Sequence, residues 1–149
     1  MMYGFVSDVL ADKGTGVFLV SPAATVREAV RVMNAHGVGA LVVMERGKLA
    51  GIFSERDVLK RVVDPGRDPE TALVREVMTP EVITVDPQMP LADAMSLMTR
   101  RRIRHLPVVD RHGELAGLVS IGDLMRRVTL AQANEIDQMV SYITGRVSA

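Results

Sequence analysis

The sequence contains no cysteine. That excludes a disulfide framework, a thiolate zinc site, an iron–sulfur cluster and a cysteine nucleophile. Neither charge is in excess: 18 basic and 18 acidic side chains give a formal net charge of zero. A dedicated nucleic-acid or membrane-surface protein usually shows a strong basic excess, so the balance argues against both. Aromatic residues are few, with two Tyr and three Phe. Long apolar runs are missing as well. The longest, Gly37 to Met44, has eight residues, against roughly 20 for a membrane-spanning helix. Met1 to Leu10 has no basic region followed by a long apolar core, so no secretory signal is read there and the expected compartment is the cytoplasm.

Catalytic motifs are also missing. There is no Gly-x4-Gly-Lys-Ser/Thr loop, Gly-x-Gly-x-x-Gly, His-Glu-x-x-His or Gly-x-Ser-x-Gly. Glu55 and Asp57 are close in sequence, but residues i and i+2 of a helix do not face each other. His36, His105 and His112 show no metal-ligand spacing. The expectation is a protein with no enzymatic activity and no metal.

What is present is a soluble composition, 48% hydrophobic and 24% charged over 149 residues. A chain of this size can bury roughly 68–70% of its unfolded surface and needs no covalent staple. An internal repeat organises it. Val38 to Val62 returns as Ile103 to Val128, with 11 of 25 aligned positions identical across a one-residue gap at His112. The identities include Gly47/Gly113, the Leu-Ala-Gly runs at 49–51 and 115–117, Ser54/Ser120 and Asp57/Asp123. Upstream, Val26, Ala29, Val30 and Met33 answer Leu91, Ala94, Met95 and Met98. Both quartets follow i, i+3, i+4, i+7, the stripe of an amphipathic helix.

Each unit reads as β-α-β-β-α. A short strand (Val17 to Val20; Val82 to Val85) precedes a helix over 26–36 or 91–101. Thr25 and Glu28 have capping-box spacing, and Pro90 suits a helix start. An apolar strand (40–44; 106–109) then turns into a second strand (48–53; 114–119), and a helix begins at Ser54 or Ser120. The units are placed at 6–63 and 74–128, joined by a Pro/Gly-containing linker at 64–73. A further helix is expected over 129–145, stopped by Gly145, with Ile136, Met139, Val140 and Ile143 as an apolar stripe needing a cover.

The phrases MTPEVITVDP (78–87), LADAMSLMTRRRIRHLPVVD (91–110) and GELAGLVSIGDLMRRV (113–128) resemble the CBS domain, named after cystathionine β-synthase. The first unit matches more loosely through TVREAVRVMNAHGVGALVV and GKLAGIFSERDVLKRV. The resemblance implies an α/β (α+β) fold: two tandem β-α-β-β-α motifs packed through their sheets with pseudo-twofold symmetry, plus a C-terminal helix. It implies two clefts for adenosine-containing ligands such as AMP, ADP, ATP, NAD(H) or S-adenosylmethionine. It further implies a homodimer and a regulatory role exercised on another protein, which the sequence does not name. A constitutive interaction or assembly module without ligand sensing is the alternative.

Carried over residue by residue, the resemblance assigns cleft A to Ser54, Arg56, Asp57, Thr79, Pro80, Val82, Ile103, Arg104, His105 and Pro107. Cleft B falls to Val17, Val38, Gly39, Ala40, Ser120 and Asp123, with Leu41 closing its strand segment. An Asp can accept ribose hydroxyls, a helix start and Arg side chains suit phosphate, and apolar residues can sandwich adenine. The competing account of Ser-x-x-Asp is a helix cap with an acidic first turn. At the positions of Arg56, Arg104 and His105, cleft B has Gly122, Gly39 and Ala40. Cleft A is therefore expected to take the phosphorylated ligand, and cleft B to be empty or to hold a neutral adenosine-like group. The run Arg100 to Arg104 reads as cations at a helix C-terminus rather than a nucleic-acid contact.

Overall fold

The computed structural model describes residues 3–14 and 16–144. The order is α1 (Val6–Lys13), β1 (Leu19–Val20), α2 (Val26–His36), β2 (Ala40–Glu45), β3 (Lys48–Ser54), α3 (Glu55–Asp57, running on as a π-helix over Val58–Val63), α4 (Val74–Val77), α5 (Leu91–Arg101), β4 (His105–Val109), β5 (Leu115–Ser120) and α6 (Ile121–Ile143). One sheet has the order β1-β2-β3, with β1 parallel and β3 antiparallel to β2; the other pairs β4 with β5 antiparallel. This is the expected mixed α+β class.

The repeat is visible in local detail. Both hairpins shift register at matching places, between Val43 and Met44 and between Val108 and Val109. The first turn puts Arg46 and Gly47 at φ 52° and 76°, the paired positive angles of a tight hairpin turn. The second is longer by His112. There Asp110 Oδ1 accepts the N–H groups of His112 (2.8 Å) and Glu114 (3.0 Å), so the inserted residue is absorbed by an Asx turn. Helices α2 and α5 both end on a left-handed residue, Gly37 and Arg102. Thr25 Oγ1 caps α2 by accepting from Glu28 N at 3.1 Å. Pro90 stands at the N-cap of α5.

Three expectations are corrected. The strand expected at Val82–Val85 reduces to a single parallel bridge between Val85 and Val108. Its counterpart at Val17–Val20 reduces to two residues. The helix starting at Ser120 and the C-terminal helix are one continuous 23-residue element, because no Gly or Pro interrupts Ile121 to Ile143 after Gly122. The expected stop at Gly145 lies outside the described residues.

The two cores exchange their short helices. The core of α2, β2, β3 and α3 (Val26, Met33, Leu41, Phe53, Val62) includes Val74 and Val77 of α4. The core of α5, β4, β5 and α6 (Leu91, Met98, Leu106, Val119, Leu124) includes Val6 and Val9 of α1. The linker is part of this exchange: Val26 N donates to Ala72 O at 2.9 Å and Val74 N to Ala24 O at 2.8 Å. The repeated arginines reinforce it. Arg61 of α3 donates to the carbonyls of Val77 and Met78, and Arg127 of α6 reaches Tyr3 O (3.2 Å) and Asp12 (2.8 Å).

The exchange explains the repeated Leu-Ala-Gly. A Cβ on Gly51 would lie 2.5 Å from Thr79 O, and one on Gly117 would lie 2.6 Å from the Leu10 side chain. Each hairpin must stay bare where the exchanged segment crosses it. Thr79 and Ile52 trade backbone hydrogen bonds at that point (3.0 and 2.8 Å). In Gly51→Ala the obstacle is a bridged carbonyl, whereas in Gly117→Ala it is a side chain that can rotate. Urea denaturation is expected to show a loss of about 1–3 kcal/mol for Gly51→Ala and a smaller one for Gly117→Ala.

Candidate functional site

Two cavities open between the units. The larger, about 730 Å³, is lined by Ser54, Arg56, Asp57, Thr79, Val82, Ile103, Arg104 and His105 among others. These are eight of the ten residues assigned to cleft A. Pro80 is exposed outside the wall, beyond the point where Thr79 is pinned to β3. Pro107 is buried in β4, where its carbonyl accepts from Val85 N at 3.0 Å. The bridge from Val85 thus withdraws Pro107 from the cleft. The smaller cavity, about 230 Å³, is lined by all six residues assigned to cleft B, together with Lys13, Phe18, Gly37, His105 and Leu118.

The starts of α3 and α6 are built alike. Ser54 N donates to Asp57 Oδ2 at 2.9 Å, and Ser120 N donates to Asp123 Oδ2 at 2.9 Å. Glu55 N donates to Gly39 O at 3.0 Å, and Ile121 N donates to Arg104 O at 2.9 Å. Both aspartates therefore do the capping work that competed with a ligand role, which leaves their remaining oxygen positions as the ones a ligand could share.

Around the two carboxylates the clefts differ. Asp57 is 4% exposed, the one charged residue in the buried set among the described residues. Besides Ser54 N, its Oδ2 accepts from Ser54 Oγ (3.3 Å), and its Oδ1 accepts from Thr79 Oγ1 (3.1 Å) with Arg61 Nε at 3.8 Å. Asp123 is paired instead with Lys13, whose Nζ donates to its Oδ2 at 2.7 Å and to Leu118 O at 2.8 Å. Each carboxylate is thus met by a residue from the exchanged segment of the other unit. Burial pushes the Asp123 carboxyl up, but Lys13 and Ser120 outweigh it and hold it below its ordinary value of 3.8.

In the larger cleft Arg56, Lys60 and Arg104 supply cations, and Glu55 and Glu81 supply acids. Arg56 is anchored, its Nη1 donating to Arg102 O at the end of α5 (2.9 Å). Arg104 is exposed. Gly39, His105 and Ser120 line both cavities, so they form a shared wall. Burial lowers His105 from its ordinary 6.5, Asp123 and Glu55 pull it back up, and Lys13 and Arg104 add to the lowering.

At the positions matching Arg56, Arg104 and His105 stand Gly122, Gly39 and Ala40, as expected. Lys13 and His105, which the residue-by-residue match did not assign to the smaller cleft, join its lining from elsewhere. The sequence signal was present: Val6, Val9, Leu10 and Lys13 follow i, i+3, i+4, i+7, so the exposed Lys13 stands in line with the buried Val6 and Val9 of α1. Lys60 and Glu81 carry no comparable signal, since only the folded cleft brings them together.

The CBS-domain family model matches residues 6–64 and 74–130, and the chain belongs to that family. It is 42% identical over 149 residues to the CBS domain-containing protein CBSX3, mitochondrial, of Arabidopsis thaliana, covering 94% of this chain and 72% of that one. The solved CBS-domain containing protein ATU1752 of Agrobacterium tumefaciens shares 38% identity at a TM-score of 0.77, over 82% of this chain and 97% of that one. The CBS domain pair of protein MJ0100, solved in complex with 5'-methylthioadenosine and S-adenosyl-L-methionine, shares 25% identity at a TM-score of 0.71, over 82% and 93%. No helix among the described residues is long and apolar enough to cross a membrane.

His105 yields a pH test. Its folded value lies below its unfolded one, so the unfolded chain takes up the proton first. The stabilising contribution is whole above about pH 6.5 and is lost as the pH falls through the folded value. In His105→Gln, stability measured by denaturant titration is expected to lose this slope below pH 6.5, while the wild-type chain keeps it.

Proposed function

We propose that the protein is a regulatory module that binds an adenine nucleotide in the larger cleft and acts in trans on another protein. The observation that carries this reading is the 730 Å³ cavity, of a size usual for small-molecule sites. Its wall joins the Ser54–Asp57 turn of one unit to Thr79, Val82, Ile103 and Arg104 of the other. Val82 and Ile103 offer apolar faces to a base. Asp57 and Thr79 lie where ribose hydroxyls can exchange into an existing hydrogen-bond set. Arg104, Arg56 and Lys60 suit phosphates.

The candidate ligands are AMP, ADP, ATP and NAD(H). The adenosine-type ligands named for the MJ0100 domain pair support the class. The reading is regulatory rather than catalytic, in keeping with relatives whose names give only CBS domains. A homodimer is part of the proposal: Ile136, Met139, Val140 and Ile143 of α6 are 51–77% exposed, a stripe a second copy could cover. The proposed compartment is the cytoplasm, against which stands the mitochondrial name of the plant relative.

A thermal-shift panel with AMP, ADP, ATP and NADH tests the reading. A ligand at 100 times its Kd stabilises by about 2.7 kcal/mol, on the order of 5–11 °C for a chain of this size. Arg104→Ala, an exposed change, is expected to leave the unliganded melting temperature in place and to weaken phosphate-bearing ligands by about 10- to 100-fold. A panel with no shift for any nucleotide would overturn the sensor reading and favour a constitutive assembly module.

A further inference from the structure

The smaller cleft differs from the larger in one contact that its own motif does not supply. Helix α1 has eight residues and its counterpart α4 has four. The additional turn ends at Lys13, which crosses to the other unit, joins the cleft wall and bonds Asp123. Asp123 is the carboxylate matching Asp57, and its Oδ1 has no hydrogen-bond partner among the described residues. Lys13 has three donors, two of them spent on Asp123 Oδ2 and Leu118 O. Its side chain is 29% exposed and that of Asp123 20%, so the pair is reachable from the cleft. At about 230 Å³, with Lys13 in its lining, the cleft falls below the usual range for small-molecule sites.

The geometry points to Lys13 as the residue that makes the smaller cleft selective for a phosphate-bearing nucleoside over the uncharged nucleoside. This rests on the reading that the clefts take adenosine-type ligands, and it reverses the expectation that cleft B would prefer a neutral one. A ribose that engages the carboxylate through both hydroxyls finds Oδ1 free but competes with Lys13 for Oδ2. An uncharged nucleoside returns nothing to the displaced ammonium, which must give up a charge-assisted hydrogen bond in a half-buried site. A nucleotide brings its own anion, and the ammonium can transfer from carboxylate to phosphate or hold both through its third donor. The penalty therefore falls on the uncharged ligand alone.

The test is site-resolved methyl NMR of the full chain, titrated with adenosine and with adenosine 5'-monophosphate. Val17 and Val38 report the smaller cleft; Val82 and Ile103 report the larger. In the wild-type chain the monophosphate is expected to move Val17 and Val38 at about tenfold lower concentration than adenosine, the scale of one charged hydrogen bond. Lys13→Met should bring the two ligands to within about twofold of each other, and Lys13→Arg should restore the preference, which also shows that the helix end tolerates substitution. Equal response of Val17 and Val38 to both ligands in the wild type, or a preference that survives Lys13→Met, overturns the assignment. If Val82 and Ile103 respond while Val17 and Val38 stay still, the assignment falls and the larger cleft stands. If all four stay still, the nucleotide reading itself falls.

Discussion

The exchange of short helices is the constraint on which the rest depends. A β-α-β-β-α unit of this length leaves one end of its hairpin and one face of its last helix uncovered. Here each is covered by the short helix that belongs, in sequence, to the other copy. The consequence is chemical as well as structural. The segment that seals the core also carries the residue that meets the capping carboxylate, Thr79 at Asp57 and Lys13 at Asp123. Each cleft is therefore bounded by both halves of the chain, and neither is complete in one repeat. Gly51 and Gly117 pass unnoticed in a single strand, but a methyl group would press on the crossing backbone at Gly51 and on the Leu10 side chain at Gly117.

The same arrangement turns small sequence differences between the repeats into different clefts. At the strand starts, Arg104 and His105 stand where the first unit has Gly39 and Ala40. Two cationic or titratable groups thus join the wall of the larger cleft. The short helices diverge in the opposite sense, since α1 runs on to a lysine where α4 stops. One cleft is wide, with a carboxylate held mainly by hydroxyl and amide donors. The other is narrow, with a carboxylate held by an ammonium. A carboxylate that already carries a cation has less to offer a neutral hydroxyl than one satisfied by neutral donors. The duplication thus supplies two pockets built on alike helix starts that differ in size and in the charge beside the carboxylate.

Much of this was legible in the residues. The helix limits at 26–36 and 91–101, the two hairpins and the Ser-x-x-Asp helix starts follow from apolar periodicity, turn chemistry and caps, all of which are local. The resemblance placed eight of ten cleft A residues and all six of cleft B around cavities. What was not legible depends on tertiary register. Val82 to Val85 has strand composition, yet only Val85 finds a partner. Pro107 shares a strand with His105, but the bridging segment buries it. Lys13 was readable in principle as the fourth member of a stripe. A lysine in that place is normally taken for a solvated helix end, because the stripe itself does not say that a carboxylate from the other repeat waits beside it.

His105 connects the two clefts physically. It lines both, pairs in register with Ser120, and is surrounded by Lys13, Asp123, Glu55 and Arg104. Those neighbours belong to both clefts and carry charges of both signs. Under the proposed function, a ligand that draws Lys13 off Asp123 changes the field at His105. One that engages Arg104 changes it from the opposite side. Coupling between sites requires that each ligand bind one arrangement of shared groups better than another, and it is then reciprocal. The wall that the two clefts share, Gly39, His105 and Ser120, is where such shared groups lie. The energetic half of that requirement rests on how far the Lys13–Asp123 pair must open for a ligand to enter.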